Sequence, residues 1–393
     1  MEASVPNDII RHIFSQLSMK SVIRCQCVCK QWCSLIQDSN FKLSYRGQQR
    51  VIILSLEFKP QQDYDWDSRF LVRSTSLHDL RLQRPFGEAA AYPLIHASHQ
   101  YLVRALCSCN GVVLLVGDER DIWLWNPTTR CSTKVLELPY QEMLNPVILA
   151  AGLCYDSCTR DYKAVLLLRR LIRLGHGFGD PFVISASPNH KEWRPVEFPY
   201  NSARGGVEFR NTFHWWASDI KDLDRDRDMS GGNRILYFDL VCDEFKILPI
   251  PERRENNTSI VGLGVIDDCL CMAYIIQKQE GGLKTETMQV WIMKEYGKQE
   301  SWMIAFSIQM PELGDVYGSY GLTFYSQKKN AREVLFLLRN AGWCGRQVYV
   351  YDRKKDEMKE ELMDFLQGSS CRYFVSMCLY VESFVCLPLQ SQN

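Results

Sequence analysis

"DIWLWNPTTRCSTKVLELP", residues 121–139, decides the fold of most of this chain. It reads as an apolar strand, a polar turn opened by Asn126 and Pro127, a second strand and a closing proline, which together describe a hairpin. The same unit returns as "FVISASPNHKEWRPVEFP" (182–199), "RILYFDLVCDEFKILPIP" (234–251), "MQVWIMKEYGKQESWMIAFSI" (288–308) and "QVYVYDRKKDEMKEEL" (347–362), with "RFLVRSTSLHDLRLQRP" (69–85) as a weaker sixth copy. The turns open at Ser74, Asn126, Ala186, Asp239, Lys294 and Asp352, in steps of 52, 60, 53, 55 and 58 residues.

Further strand pairs fall between these hairpins, among them "GLCYDSCTRDYKAVLLL", "GVEFRNTFHWWA", "GLGVIDDCLCMAY" and "GLTFYSQKKNAREVLFLL". Four short strands in a recurring unit of this size are the signature of a β-propeller blade, and about six blades are expected. The tail "CRYFVSMCLYVESFVCLP" (371–388) holds two strands without a following hairpin, while "VIILSLEF" (51–58) lacks an inner partner. Pairing the two would close the ring and remove its open edges. Trp123, Trp125, Trp215, Trp216, Trp291 and Trp302 alternate along strands and are expected in the core between blades. Cys107 with Cys109, and Cys269 with Cys271, share a strand face and read as small apolar side chains.

Upstream of the repeat the pattern changes. In "VPNDIIRHIFSQLSMKSVIRCQCVCKQWCSLI" (5–36), Ile9, Ile10, Ile13, Phe14 and Leu17 recur with helical spacing behind the start signals Pro6, Asn7 and Asp8. Ser18 is placed to cap a second helix carrying Met19, Val22 and Ile23, and Cys25, Val28, Cys29, Trp32 and Ile36 continue the spacing. Helices this short are marginal alone, so their surplus apolar surface must dock on the rest of the chain or on another protein. Cys25, Cys29 and Cys33 would share one helix face, but without a Cys-x2-Cys knuckle and a second ligand pair no metal is expected.

Composition bounds the partners. Lys plus Arg and Asp plus Glu both total 46, so no global field favours nucleic acid or an anionic membrane. The N-terminus lacks the basic and apolar regions of a secretory signal, and no apolar window is long enough to span a bilayer. A cytoplasmic or nuclear protein is expected, with its sixteen cysteines mostly buried thiols.

The N-terminal run resembles a plant-type F-box. The family's motifs correspond here to Val5-Pro6, Asp8-Ile9-Ile10, Gln16-Leu17-Ser18-Met19-Lys20-Ser21 and Cys27-Val28-Cys29-Lys30-Gln31-Trp32. The remainder resembles the plant F-box-associated, kelch-like domain through "CNGVVLL" (109–115), "LWNPTTR" (124–130), "YDSCTRDYKAV" (155–165), "FHWWA" (213–217), "FDLVCDEFKILPIP" (238–251) and "VWIMKEYGKQESW" (290–302). The fold expected is therefore multidomain: an all-α F-box of three short helices over 1–45, then an all-β propeller-like domain over 46–390.

The resemblance implies a substrate-recognition subunit of a Skp-cullin-F-box ubiquitin ligase. The F-box would bind a Skp-type adaptor, and through it cullin and RING subunits, while the propeller would hold a target protein. The match places Val5, Pro6, Ile9, Ile13, Leu17, Ser18, Val22, Val28 and Trp32 against the adaptor. Val5 and Ser18 stand where the family usually has Leu and Pro, and one lost methylene at Val5 costs about 1 kcal/mol, which weakens such an interface without abolishing it.

Common catalytic signatures are missing. "GHGFGD" (175–180) does not open a helix in a βαβ unit, and "DLDRDRDMSGGN" (222–233) lacks the glycine and the closing acid of a calcium loop. Neither catalytic residues nor a metal or other cofactor is expected, and recognition is assigned to the long inter-strand segments 59–68, 169–181, 219–233 and 277–287, with Tyr64, Trp66, Phe178, Asp224 and Arg225 as substrate contacts. Two other readings compete: a propeller scaffold or inhibitor acting without a ligase, and a propeller enzyme with its site at the central mouth.

Overall fold

The computed structural model describes residues 5–60, 66–76, 87–88, 104–117, 121–138, 147–171, 178–189, 192–200, 202–218, 234–251, 258–280, 283–309, 321–326, 332–339, 346–361, 371–385 and 387. The chain divides into two compact units, residues 1–138 with 365–393 and residues 139–364. The boundary expected at 45/46 falls inside the first of them.

The first unit opens with four helices rather than three: α1 (Asn7–Gln16), α2 (Met19–Cys25), α3 (Lys30–Gln37) and α4 (Ser39–Ser44). Side chains start three of them. Ser18 Oγ accepts from Ser21 N, Cys29 Sγ from Trp32 N, and Asp38 Oδ1 from Phe41 N at 2.9 Å. The extra helix, α4, starts at the Asp38 cap. Cys25 closes α2 and Cys29 caps α3, so Cys25, Cys29 and Cys33 do not lie along one helix face as their spacing suggested.

Two sheets complete this unit. One contains β1 (Gln49–Pro60), β2 (Trp66–Ser76) and β3 (Gly87–Glu88), and the other β4 (Arg104–Cys109), β5 (Val112–Val116), β6 (Asp121–Asn126) and β7 (Cys131–Glu137) in that order. The remaining sixteen strands of the second unit run as β8 (Val147–Asp156), β9 (Asp161–Leu171), β10 (Phe178–Ala186) and β11 (Arg194–Val196), then β12 (Ser202–Phe209), β13 (Thr212–Ser218), β14 (Arg234–Asp239) and β15 (Glu244–Leu248). They continue as β16 (Thr258–Ile266), β17 (Cys269–Glu280), β18 (Leu283–Met293), β19 (Trp302–Gln309), β20 (Gly321–Ser326), β21 (Glu333–Arg339), β22 (Arg346–Asp352) and β23 (Glu357–Glu361). The last strand, β24 (Cys371–Val381), belongs to the first unit and pairs antiparallel with β1, giving the order β24-β1-β2-β3.

Among the described residues every sheet is thus one four-stranded antiparallel meander or, for β16 to β23, two of them joined. The join is a parallel pairing of β16 with β20, from Gly262 opposite Leu322 to Val265 opposite Tyr325. An added Cβ at Gly262 would stand 2.1 Å from Leu322 O, and one at Gly264 would stand 2.2 Å from Phe324 O. Only glycine admits so close a backbone.

The repeat read from the sequence marks real equivalents. Ser74 lies in β2, Asn126, Ala186, Asp239 and Asp352 end β6, β10, β14 and β22, and Lys294 follows β18, and each of these strands is the third of its meander. Asn126, Asp239 and Asp352 perform one job there: the side-chain oxygen accepts the backbone N–H groups two and three residues on, fixing the turn. A second periodic feature is silent in sequence. The first strand of five meanders, β24, β4, β8, β12 and β16, slips register through a bulge against its second strand, which bends and twists it.

Three expectations change. The tail holds one strand, β24, and residues 382–385 continue without strand pairing. In the weak sixth hairpin, β2 pairs with Gly87–Glu88, beyond the span read as its second strand. Strands also extend far into three of the segments taken as recognition loops: β17 and β18 pair from Ile276 opposite Thr287 to Glu280 opposite Leu283. Those residues are mostly polar, so the apolar alternation that announces a strand is absent.

The tryptophans are core as expected. Trp125, Trp215, Trp216 and Trp302 are buried, and Trp123 and Trp291 pack partly buried against apolar clusters. In the first unit Trp125 joins Ile52, Leu54, Val113, Leu115, Cys378 and Tyr380. Thirteen cysteines are free thiols; five of them are buried, among them Cys154, whose thiol is pushed up to about 11 by burial, and four are exposed.

Candidate functional site

The apolar stripe of α1 is two residues wide, and the structure separates its rails. Ile10 and Phe14 are buried, while Ile9 and Ile13, each one step earlier on the helix, face outward. At 100° per residue a one-step offset carries a side chain around the helix, so an amphipathic stripe of this width serves two surfaces.

The inner surface is a small core of Ile10, Phe14, Met19, Val22, Leu35, Ile36, Phe41 and Tyr45, to which Phe384 from the end of the chain is added. Trp32 meets Phe14 edge-on at 5.1 Å, and Tyr45 Oη donates to Leu17 O at 2.9 Å. Burial, with the Glu382 charge second, holds the Tyr45 phenol well above its ordinary range.

The outer surface is apolar and uncovered. Val5, Ile9, Ile13, Ile23 and Val28 are between 49% and 63% exposed, and these five make up the majority of the large exposed apolar residues among those described. Ile9 and Ile13 are neighbours at i, i+4 on α1, and Val5 precedes the Pro6 N-cap. Gln31 Nε2 donates to Asn7 Oδ1 at 2.9 Å, tying the segment that carries Val28 to the start of α1. Scattered exposed apolar residues are ordinary, but five of them within residues 5–28 make this stretch a candidate for protein contact.

Of the residues assigned from sequence, Val5, Pro6, Ile9, Ile13, Ser18 and Val28 are exposed, and Leu17 and Trp32 are partly buried against the helical core. Val22 is fully buried and supports the face from beneath instead of presenting itself on it. Ile23, its exposed neighbour, was missed; both are apolar, and spacing alone did not say which turns inward. Ser18, where the family usually has Pro, keeps the corner by capping α2.

Tyr64, Asp224 and Arg225 lie outside the described residues, as does "DLDRDRDMSGGN"; Trp66 and Phe178 open β2 and β10. In the second unit a polar cavity of about 220 Å³ lies among the turns that follow β8, β10 and β14. Three of its charged groups are engaged with the turns: Lys163 is ion-paired with Asp243, and Asp156 accepts from Thr159 Oγ1 and Cys158 N, which holds its carboxyl below the usual range. Among the described residues no group of three or more His, Cys, Asp or Glu is arranged to hold a metal ion, and no helix is long and apolar enough to cross a membrane.

The "VWIMKEYGKQESW" segment has a structural duty in this unit. It brings Tyr296 onto His214, with Oη and Nε2 2.8 Å apart, and Arg210 covers the Tyr296 and Phe209 rings at 5.0 and 5.4 Å. Trp302 Nε1 donates to Pro249 O at 2.9 Å.

Comparison with known proteins agrees with this division of labour. Residues 3–44 match the family described as F-box domain, and residues 70–387 match the F-box associated beta propeller domain. The chain is 27% identical over 369 residues to the F-box protein CPR1 of Arabidopsis thaliana, covering 86% of this chain and 80% of that protein. It is 25% identical over 317 residues to the F-box/kelch-repeat protein At3g23880 of the same plant, covering 78% and 79%. Among solved structures, TolB from Acinetobacter baumannii aligns with a TM-score of 0.42 at 10% identity over 84% of this chain and 66% of that one, a likeness too remote to carry an argument.

Proposed function

The chain belongs to the F-box proteins that carry an F-box-associated β-propeller domain, and on that premise we propose that it is the substrate-recognition subunit of a Skp-cullin-F-box ubiquitin ligase. The observation that carries the reading is the exposure of Val5, Ile9, Ile13, Ile23 and Val28, five large apolar side chains within residues 5–28. A folded protein gains nothing by exposing five such side chains in so short a stretch unless a partner covers them, and burying one aliphatic side chain contributes about 1.5–3 kcal/mol.

In this reading residues 1–45 hold a Skp-type adaptor and, through it, the cullin and RING subunits. Residues 46–390 form a ring of six blades, closed by β1 with β24, and hold a target protein. The chain supplies no nucleophile. Its contribution is effective concentration: tethering makes transfer of ubiquitin to the target nearly intramolecular. The place of action is the cytoplasm or nucleus.

Reconstitution tests this. Mixed with a plant Skp-type adaptor, cullin and RING subunit, the full chain is expected to enter one complex at unit stoichiometry on gel filtration. Elution apart from a preformed adaptor–cullin complex contradicts the proposal.

A further inference from the structure

The last described residues of the chain, Glu382 to Val385 and Leu387, run between the helices and the sheet β4–β7, all within the first unit. Their backbone is bound on one side by the linker after α4, with Gly47 N donating to Glu382 O at 2.8 Å and Glu382 N to Gln48 O at 3.0 Å. Arg50 Nη1 adds an ion pair to Glu382 Oε1 at 3.3 Å.

On the other side the sheet grips the same residues. Asn126, fully buried at the end of β6, donates from Nδ2 to Ser383 Oγ at 3.0 Å, Ser383 O at 3.2 Å and Val385 O at 2.8 Å, and Thr129 Oγ1 donates to Val385 O at 3.2 Å. Gly111, at φ 80°, leaves room for the segment, since a Cβ there would stand 2.3 Å from Ser383 Oγ and 2.4 Å from Val381 O. Asn110 beside it accepts from Arg46 Nη2. The two motifs "CNGVVLL" and "LWNPTTR" thus supply a seat for the chain's own end.

Held this way, Phe384 enters the helical core, its ring 4.9 Å from Tyr45 and 6.5 Å from Phe41. Helices of ten, seven, eight and six residues cannot sustain themselves in water, so each apolar side chain added to so small a core matters disproportionately.

We propose that residues 382–387 are a strap that completes the helical core and fixes the helices to β4–β7, making Phe384 and Asn126 positioning residues for the exposed face of α1. Only the functional consequence rests on the receptor reading. The helices are then no detachable module: a change near the end of the chain, more than 340 residues away in sequence, is felt in α1.

Hydrogen exchange on the full chain tests the strap without any partner. Phe384→Ala and Asn126→Ala are expected to speed amide exchange in α1, α3 and α4 by about ten-fold or more, with β17 unchanged as a sign of intact folding, and Phe384→Leu to stay within about two-fold of wild type. Affinity for a Skp-type adaptor falls in parallel in the Ala variants. Wild-type exchange in the helices of both Ala variants would overturn the proposal. If the wild type bound no adaptor, the receptor reading would fall, and the exchange comparison would still decide the strap.

Discussion

His214 shows how far a single side chain can leave its ordinary chemistry. It lies fully buried in β13 among Phe209, Tyr237 and Tyr296, and burial lowers its pKa from 6.5 to about 3. The folded state refuses a proton that the unfolded chain accepts below pH 6.5, so this contribution to stability is intact above that pH and is lost as pH falls toward 3. From pH 6 to 5 its slope approaches about 1.4 kcal/mol per pH unit. His214→Phe is expected to flatten the pH dependence of the urea midpoint in that window; an unchanged slope would mean that the ring titrates normally. Sequence marked "FHWWA" as a strand and could not say that its histidine is buried, because a lone His on an apolar face carries no sign of what stands opposite.

At the scale of elements, the join between β16 and β20 depends on the glycine pair of "GLGV". Gly264→Ala would drive a methyl group into Phe324 O and its ring, and a cost of about 1–3 kcal/mol is expected, read as a lower urea midpoint. A midpoint within error of wild type would show that the two strands part without penalty. Much of this level was legible in the sequence. The third-strand turns announce themselves because an Asn or Asp must occupy a fixed place, and the hairpin of β6 and β7 could be read to within a residue or two. The bulges of the first strands could not, since one extra residue leaves no mark in composition. The strap was misread as a strand for a related reason: "ESFVCLP" has the apolar character of an edge strand, and only the placement of Asn126 and Gly47 shows that its backbone is bound by other means.

For the molecule as a whole, the N-terminal helices carry more apolar surface than they can bury, which leaves the rest of the chain or another protein as the cover, and the resemblance to the F-box favours the second. The sequence could not separate Ile9 and Ile13 from Ile10 and Phe14, as helical spacing reports the width of a stripe and not which rail meets the core. With that separation, the exposed rail of Ile9 and Ile13 is the docking face of the proposed receptor. The most direct measurement is the affinity of the full chain for a plant Skp-type adaptor by titration calorimetry, beside an Ile9→Asp, Ile13→Asp variant. Both side chains are exposed, so the variant keeps its fold and its helical circular dichroism, and a loss of about 100-fold or more in affinity is expected. Equal affinity of the two proteins, or no binding by the folded wild type, would show that this rail is not a docking face for the adaptor.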